Sequence, residues 1–338
     1  MKRSELISMK HGAGGRAMRD LIERVFIAGA VAQPGVVGLA EMDDGAAIPF
    51  GDGYLVVTTD SHVVQPRFFP GGDIGRLAIC GTVNDLAMMG ATEPLALTCG
   101  AILEEGFPVE ELERIQRSMR AACDEAGASI LTGDTKVMGR GEVDGIVLNT
   151  TGVAFTKTLV RDCALQPDDR IIVTGPIADH GFAVLVTRND LKLSGDLRSD
   201  VAPLNSLVRL LLRRGGVTAM KDPTRGGVSS ALHEMAGKSK VGVVLEERDI
   251  PLRDEVRAAA ELLGIDPLHV ANEGKALLGV RPDAVDAVLD ALRSHPLGRE
   301  AAVIGRCTAT HPGRIKLRTG VGERLLQEPD GEPLPRIC

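Results

Sequence analysis

The feature that most constrains the fold is an alternation of short β-branched runs with helical segments, which recurs in both halves of the chain. In the first half, a predicted strand at Tyr54–Thr59 precedes a small-residue helix over residues 73–89. An amphipathic helix follows, in which apolar side chains recur every three or four positions, at Leu112, Ile115, Met119, Ala122 and Ala126. A short strand near residues 129–132 and a turn at Gly133-Asp134 are predicted next. The second half repeats the pattern, with a helix predicted from about Val201 to Arg213 and strands near residues 170–173, 217–220, 241–245 and 276–280. Interleaved strands and helices predict two α/β domains, divided near residue 160.

The length of 338 residues fits two packed domains better than one core. We expect a glycine-rich loop and helix over residues 1–40, a first domain over 41–158 and a second over 159–312. A tail over residues 313–338 completes the chain. From about Leu326 it carries Pro329, Pro333 and Pro335, which block helices and central strands, so it should be extended.

Composition disfavours several classes of function. Aromatic residues make up 2% of the chain and the net charge is −7, which leaves neither base-stacking platforms nor a basic surface for nucleic acid. We see no signal-peptide pattern near Met1 and no apolar run of membrane-spanning length, so we expect a cytoplasmic protein without a membrane partner. The six cysteines include no C-x-x-C pair, which disfavours a zinc ribbon or a thioredoxin-type site.

Familiar nucleotide and metal motifs do not occur in the sequence. There is no G-x-x-x-x-G-K-[ST], no G-x-G-x-x-G after a strand, and no H-E-x-x-H. A P-loop enzyme and a standard Rossmann dehydrogenase are therefore disfavoured.

Carboxylates recur instead at predicted strand ends and loop starts. Gathered around triphosphate oxygens, they could hold Mg²⁺, which prefers oxygen ligands; taken singly, most have the simpler role of helix caps or turn formers. Asp85 is the least ordinary, because it lies in an apolar helix where an unpaired carboxylate is costly. Lys136 could meet phosphate, and the helix that opens at Gly226-Gly227 offers N–H groups to an anion. The acidic residues are Asp43, Asp44, Asp60, Asp85, Asp134 and Asp222.

Four further features could carry chemistry. The loop His11–Gly15 is rich enough in glycine to approach a ligand closely. His62 follows Asp60 and could share its site, and Glu273 is either a base or a turn residue paired with Lys275. Cys338 is either a neutral chain end or a reactive thiol on a proline-rich arm.

Taken together, these segments resemble the HypE family of hydrogenase maturation factors, within the superfamily of aminoimidazole ribonucleotide synthetase and selenophosphate synthetase. The Asn-Asp-Leu and Asp-x-Thr-x-Gly-Gly pieces are typical of the whole superfamily, and the final Pro-Arg-Ile-Cys is specific to HypE. The matching segments run in the family's order over nearly the whole chain, at residues 11–15, 42–47, 58–64, 83–91, 132–137, 222–228, 271–275 and 335–338.

The resemblance implies a two-domain PurM-like α/β fold and a homodimer in which the N-terminal domains pair their sheets. It implies ATP and Mg²⁺ as cofactors, with Asp44, Asp60, Asp85 and Asp222 as metal ligands. The implied nucleotide-binding set is Gly12, Gly14, Gly15, Asp43, Asp44, Asp60, Asp85, Asp134, Lys136, Asp222, Thr224, Gly226 and Gly227.

The function implied is dehydration of a carbamoyl group on Cys338 to a thiocyanate. A HypF-type partner would load the carbamoyl group, and a HypC–HypD-type complex would accept the cyanide for the iron of a [NiFe] hydrogenase. Glu273 is the first choice for the catalytic base and His62 the second, with Lys136 stabilising the phosphates. The alternatives are another enzyme of the superfamily, such as a selenophosphate synthetase or a thiamine-phosphate kinase, and a non-enzymatic ATP-gated scaffold. A selenophosphate synthetase should carry a Cys or selenocysteine in the glycine-rich segment, where this chain has His11 and no Cys.

Overall fold

The structure, a computed structural model, describes residues 6–12, 14–31, 33–192, 195–329 and 336–338. Its strands, in chain order, are β1 (Ala46–Phe50), β2 (Gly53–His62), β3 (Phe68–Phe69), β4 (Gly72–Asp73), β5 (Pro94–Glu104), β6 (Ile130–Met138), β7 (Ile146–Thr156), β8 (Arg170–Val173), β9 (Val217–Lys221), β10 (Gly242–Glu246), β11 (Leu277–Val280), β12 (Ala302–Thr308), β13 (Ile315–Thr319) and β14 (Gly322–Leu326).

The α-helices are α1 (Arg16–Ile22), α2 (Ile74–Met88), α3 (Val109–Ala126), α4 (Asp179–Arg188), α5 (Asn205–Arg214), α6 (Gly227–Ser239), α7 (Asp254–Leu263) and α8 (Val285–Arg293). A π-helical turn at Glu23–Ile27 continues α1. Short 3₁₀ turns lie at Met9–Gly12, Leu39–Glu41, Glu247–Asp249, Pro267–His269, Pro282–Ala284 and Pro296–Gly298.

The first domain is a five-stranded sheet in the order β1-β2-β7-β5-β6, with α2 and α3 packed together beside it. Its strand pairs are antiparallel except β5–β6, which is parallel. Helix α2 is buried on nearly all sides, because its small residues admit close neighbours. A Cβ at Gly75, for example, would lie 2.5 Å from the carbonyl oxygen of Ile115 in α3. This close packing carries Asp85, in the last turn of α2, into the protein interior.

The second domain is a seven-stranded sheet in the order β14-β13-β10-β12-β8-β11-β9. Since β13 and β14 belong to it, the sheet continues past residue 312, where the sequence predicted the tail to begin. Two layers of apolar side chains, one including Phe182 and Leu232 and the other Leu207 and Val288, pack with this sheet. The predicted α/β class with interleaved elements is confirmed.

Three local predictions differ from the structure. The turn predicted at Gly133-Asp134 is wrong, because both residues lie inside β6. Gly133 serves close strand approach there, since a Cβ would lie 2.2 Å from the carbonyl oxygen of Cys99. Helix α5 begins at Asn205 rather than Val201, because Pro203 intervenes and a proline restricts the residue before it. Strand β5 was not predicted, because it has no clear alternation of apolar and polar residues.

The two domains are joined by a polar side chain from α2. Asn84 donates to the carbonyl oxygens of Ala202 (3.1 Å) and Glu273 (3.2 Å), and its own carbonyl oxygen accepts from the N–H of Leu204 (2.7 Å). These bonds are buried, so they fix the second domain against the helix that carries Asp85. These directional contacts add to an apolar core that side chains of both domains share.

Among the described residues, no helix is both long enough and apolar enough to cross a lipid bilayer.

Candidate functional site: a buried acidic cluster between the domains

Strand β2 brings Asp60 and His62 to the cleft. His62 Nε2 lies 3.2 Å from Asp60 Oδ2, and the imidazole is 1% exposed. Gly81 of α2 makes room for the pair, because a Cβ there would lie 2.9 Å from His62 Nε2. Burial opposes ionisation of Asp60, but His62 and Arg225 outweigh it and lower the pKa of Asp60 to about 2. Asp60 is therefore a carboxylate at neutral pH.

Asp85 faces the same cleft from α2, as its apolar surroundings suggested. The hydroxyl oxygen of Thr58, on β2, lies within hydrogen-bond distance of Asp85 Oδ2 (2.8 Å) and of the carbonyl oxygen of Asp44 (3.1 Å). Burial, reinforced by the charges of Asp222 and Asp60, raises the pKa of Asp85 well above its usual value. Thr58 thus joins two predicted ligand segments that are far apart in sequence.

Asp44, rather than Asp43, faces the acidic cluster. Asp43 turns away and pairs with Arg161, with Nε 2.9 Å from Oδ2. Asp44 pairs closely with Lys221 of β9, and its other carboxylate oxygen is buried without a hydrogen-bond partner. Burial raises the pKa of Asp44 well above its usual value, although the positive charge of Lys221 acts to lower it. Burial acts to lower the pKa of Lys221, but the charge of Asp44 outweighs it and raises this pKa well above its usual value.

Sequence reasoning missed the cations that balance this cluster. Lys221 Nζ also lies 3.4 Å from Glu234 and 3.6 Å from Asp162, and Lys238 Nζ lies 2.6 Å from Asp162. The available signal was the position of Lys221 immediately before Asp222, at the end of a predicted strand. Asp162 carried no such signal, since it lies in the segment between the two sheets.

Asp222 and Glu273 complete the acidic cluster from the second domain. Each has one buried carboxylate oxygen without a hydrogen-bond partner. Burial raises the pKa of Asp222 to about 6. Burial, with the charges of Asp222 and Asp60, raises the pKa of Glu273 well above its usual value. Glu273 is 3% exposed, and the predicted alternative of a pair with Lys275 is wrong, because Lys275 pairs with Asp200 instead.

The acidic cluster has the donor chemistry that Mg²⁺ requires. Asp44, Asp85 and Asp222 offer buried carboxylate oxygens whose mutual repulsion a divalent cation would relieve. Within the described ranges, no three acidic, histidine or cysteine side chains are already grouped closely enough to hold a metal ion. This arrangement suits an ion that arrives with phosphate ligands, since Mg²⁺ is commonly bound by one or two carboxylates plus phosphates.

The predicted phosphate-binding glycines lie at the mouth of the cleft. A Cβ at Gly14 would lie 2.8 Å from the carbonyl oxygen of Arg225, and one at Gly15 would lie 2.3 Å from that of Pro329. Gly226 and Gly227 have positive φ angles of 76° and 61° and open α6, whose first-turn N–H groups favour an anion. Two further residues were predicted to bind the nucleotide. Gly12 lies in the 3₁₀ turn before α1, and Thr224 lies in the loop before α6.

Lys136 and Asp134 do not join the acidic cluster within one chain. They pair with each other at 3.4 Å on β6 and are 71% and 72% exposed. The register across β2, β7, β5 and β6 places Gly133 level with Asp60, three strand spacings away, which is roughly 14 Å. A lysine side chain spans roughly 6 Å, so Lys136 does not reach Asp60 in its own chain.

The tail approaches the cleft at both described ends. Near its start, Arg19 of α1 holds Glu328 with two hydrogen bonds of 2.7 and 2.8 Å. At its end, Ile337 is 1% exposed, and an oxygen of Cys338 accepts from the N–H of Val63 at 3.2 Å. Pro333 and Pro335 lie outside the described residues. Cys338 is thus adjacent to the residue that follows His62, at the edge of the acidic cluster.

Comparison with known proteins agrees with this geometry. The AIR synthase related protein N-terminal domain matches residues 42–156, and the corresponding C-terminal domain matches residues 166–318. The carbamoyl dehydratase HypE of Rhizobium leguminosarum bv. viciae is 46% identical over 337 residues, which cover 98% of this chain and 95% of the relative. This chain belongs to the HypE family.

Solved HypE structures superpose on the chain over most of its length. HypE in a HypE–HypF complex is 42% identical, has a TM-score of 0.85, and covers 91% of this chain and 99% of that chain. HypE in complex with ATP is 40% identical, has a TM-score of 0.81, and covers 98% of this chain and 100% of that chain. The predicted PurM-like two-domain fold and the resemblance to the HypE family are both confirmed.

Proposed function

We propose that this HypE-family chain is an ATP-dependent carbamoyl dehydratase that acts on its own Cys338. The observation that carries the proposal is the docked end of the tail, which holds the backbone of Cys338 against Val63, the residue after His62. A thiol presented there could deliver a bound group to ATP without release into solvent. The HypE relatives named carbamoyl dehydratase support the same reaction.

The reaction begins from Cys338–S–C(=O)–NH₂. The carbonyl oxygen attacks the γ-phosphorus of ATP, the bond to the β-phosphate oxygen breaks, and ADP leaves. The nitrogen then loses both protons while the C–O bond breaks, so the oxygen departs with the phosphate. The products are Cys338–S–C≡N, ADP, phosphate and one net proton. Phosphorylation makes the oxygen a good leaving group, and positioning supplies most of the catalysis.

Glu273 is our choice for the base that takes the nitrogen protons. One carboxylate oxygen is buried and unpartnered, and the raised pKa makes the carboxylate a stronger base than an exposed glutamate. His62 remains the second choice, because Nε2 is engaged with Asp60 while the buried Nδ1 has no hydrogen-bond partner. A HypE crystallised with ATP supports the assignment of ATP as co-substrate.

Asp44, Asp60, Asp85 and Asp222 are the residues that would hold Mg²⁺, which neutralises phosphate charge when bound. Lys221 already supplies one positive charge to the acidic cluster, so nucleotide binding would rearrange its contacts with Asp44. The first-turn N–H groups of α6, which begins at Gly227, would bind the phosphates.

We also propose that the working form is a homodimer. Strand β6 is a sheet edge on which eight of nine residues are exposed, including Leu131 (67%) and Val137 (69%). Such an edge is a ready template for pairing with another strand, and a twofold axis would pair it with its own copy. Lys136 would then contact phosphates bound to the partner subunit, which accounts for its distance from Asp60.

The proposed partners are a HypF-type carbamoyltransferase and a HypC–HypD-type cyanide acceptor. A HypE–HypF complex has been solved, which supports the first. We propose a cytoplasmic location, because none of the six cysteines forms a disulfide and all six lie in the described residues.

Single-turnover dehydration of carbamoylated protein tests the proposed base. Glu273→Gln keeps the shape of the side chain but removes its basicity, so we expect nitrile formation to slow by roughly 10²–10⁴-fold while ATP binding is retained. Glu261→Gln, at an exposed position of helix α7, is the control and should dehydrate at the wild-type rate. An unchanged rate in Glu273→Gln would exclude Glu273 as the base.

A further inference from the structure

The last three residues of the chain pair through their backbone with the segment that follows β2. The N–H of Val63 donates to an oxygen of Cys338, and the N–H of Gln65 donates to the carbonyl oxygen of Arg336, both at 3.2 Å. From Val63 to Gln65 the partner changes from Cys338 back to Arg336, so the two segments run antiparallel. This form of recognition fixes the register of a peptide through its backbone.

Helix α4 adds two side-chain contacts to the same tripeptide. His180 Nε2 lies 2.8 Å from the carbonyl oxygen of Ile337. Arg188 donates from Nη2 to the carbonyl oxygen of Arg336 at 2.6 Å and from Nε to that of Gln65 at 2.7 Å. Arg188 therefore bridges the tail to the segment that receives it. We call Val63, Gln65, His180 and Arg188 the tail cradle.

The orientation of His180 is fixed on every side. The ring is fully buried, its Nδ1 lies 2.8 Å from the hydroxyl of Ser199, and the ring of Phe69 meets it edge-on with centroids 5.4 Å apart. A carbonyl oxygen can only accept, so Nε2 carries the proton and Nδ1 accepts from Ser199. Burial lowers the pKa of His180, which favours this neutral form.

The same part of the fold also holds the proposed base. Asp200, the neighbour of Ser199, accepts from the backbone N–H of Glu273 at 3.1 Å and faces Lys275 at 3.0 Å. Ser199 thus orients His180, which binds the tail, and the next residue, Asp200, holds the backbone of Glu273. The position of Cys338 and that of Glu273 are linked through adjacent residues.

We propose that His180 and Arg188 are positioning residues that hold the tail in register, so that the group on Cys338 meets Glu273. This inference rests on the proposed function. It adds His180 and Arg188, which act by positioning the tail, to the proposed base Glu273. Undocking of the tail exposes Cys338 further for loading, because the docked Cys338 is partly buried and packs against the hydrophobic core. The tail cradle therefore slows access to the thiol and speeds dehydration.

Alkylation of Cys338 by N-ethylmaleimide, resolved by peptide mass spectrometry in the full-length protein, tests the tail cradle. We expect His180→Leu and Arg188→Met each to raise the rate at Cys338 about five- to tenfold, since each removes a strong hydrogen bond from the docked state. His180→Gln, which can present an amide N–H to Ile337, should restore part of the protection. Arg213→Met, at an exposed position near the end of α5, is the matched control and should alkylate like wild type.

Two internal references distinguish undocking from unfolding. Cys99 and Cys163 are partly buried and should keep their wild-type rates, while alkylation of fully buried Cys80 would report a variant that does not fold. Should His180→Leu fail to fold, Arg188→Met alone decides the outcome. Unchanged Cys338 rates in folded Arg188→Met and His180→Leu would overturn the tail cradle.

The second readout separates this inference from the proposed function. In carbamoylated protein, His180→Leu and Arg188→Met should slow dehydration by a factor similar to their effect on alkylation, while loading by a HypF-type partner is not slowed. If wild type never dehydrates but the alkylation rates respond, the proposed function fails and the tail cradle stands as a docking site. If wild type dehydrates and His180→Leu dehydrates equally fast, the positioning role is wrong.

Discussion

The interdomain cleft and the edge strand β6 carry charges in opposite environments. In the cleft, Lys221 (11% exposed) meets Asp44 (8% exposed) and the acidic cluster around it is desolvated. On β6, Lys136 and Asp134 form a pair that is more than 70% exposed. The first arrangement is complete within one chain. In the proposed homodimer, the second would acquire a function only when the partner subunit covers it. The cleft and the edge strand therefore need different experiments.

The largest expected effect is on dehydration activity, when two inactive variants are co-refolded into mixed dimers. Glu273→Gln and Lys136→Ala homodimers should each be inactive in dehydration. If Lys136 serves the partner subunit, a heterodimer keeps one intact site, so randomly mixed chains should recover about a quarter of wild-type activity, because half of them are in heterodimers. The measurement is ATP-dependent nitrile formation after co-refolding. If activity does not recover, Glu273 and Lys136 of the same chain act in one site, which would contradict a role for Lys136 in the partner subunit.

The free energy of unfolding should depend on the buried Lys221–Asp44 pair more than on the exposed Lys136–Asp134 pair. Lys221→Met leaves the carboxylates of Asp44 and Asp162 without their shared cation, so we expect a loss of about 3 kcal/mol in the free energy of unfolding. Lys136→Met removes an exposed pair and should cost less than about 1 kcal/mol. Urea denaturation of both variants measures the difference. Equal losses would mean that the cleft is no more dependent on its cation than the surface.

A pH titration extends the contrast between buried and exposed charges to Asp179. Burial raises the pKa of Asp179 from 3.8 to about 6 despite the opposing hydrogen bond from Arg253. A raised carboxyl pKa means that the folded state holds the proton more tightly, so this group stabilises the fold below pH ~4 and that contribution is lost as pH rises to ~6, up to about 3 kcal/mol. In Asp179→Asn this component of the pH dependence should disappear.

The matched control for Asp179 is Asp283→Asn, at an exposed residue beside Arg281. Its unfolding free energy should follow the wild-type curve between pH 4 and pH 6. If Asp179→Asn also follows the wild-type curve, burial does not govern the ionisation of Asp179 as we describe.

The acidic cluster was largely predictable because its members are extreme for their local context. Asp85 lies in an apolar helix and Asp60 ends a β-branched strand, so burial beside the cleft follows from elements the sequence shows clearly. The choice of Asp44 over Asp43 depends on Arg161, which no local pattern links to either residue. Pairings between distant segments are outside what a single sequence reveals.

The fold class was predictable and several boundaries were not. Regular alternation gave the two α/β domains, while Gly133-Asp134 resembled a turn and proved to be strand. A glycine needed for close strand approach has the same sequence signature as a glycine needed for a turn. His180 and Arg188 of the tail cradle were missed because helix α4 is short and its role depends on a tail more than a hundred residues away.

The most direct test of the central claim is intact-protein mass spectrometry of the full chain with MgATP, carbamoyl phosphate and a HypF-type partner, beside Cys338→Ala. The account predicts one carbamoyl adduct on the wild type that loses one water only when ATP is present, and no adduct on Cys338→Ala. An active partner that leaves Cys338 unmodified, or an adduct that persists unchanged with ATP, would contradict the assignment of this chain as a dehydratase of its own cysteine.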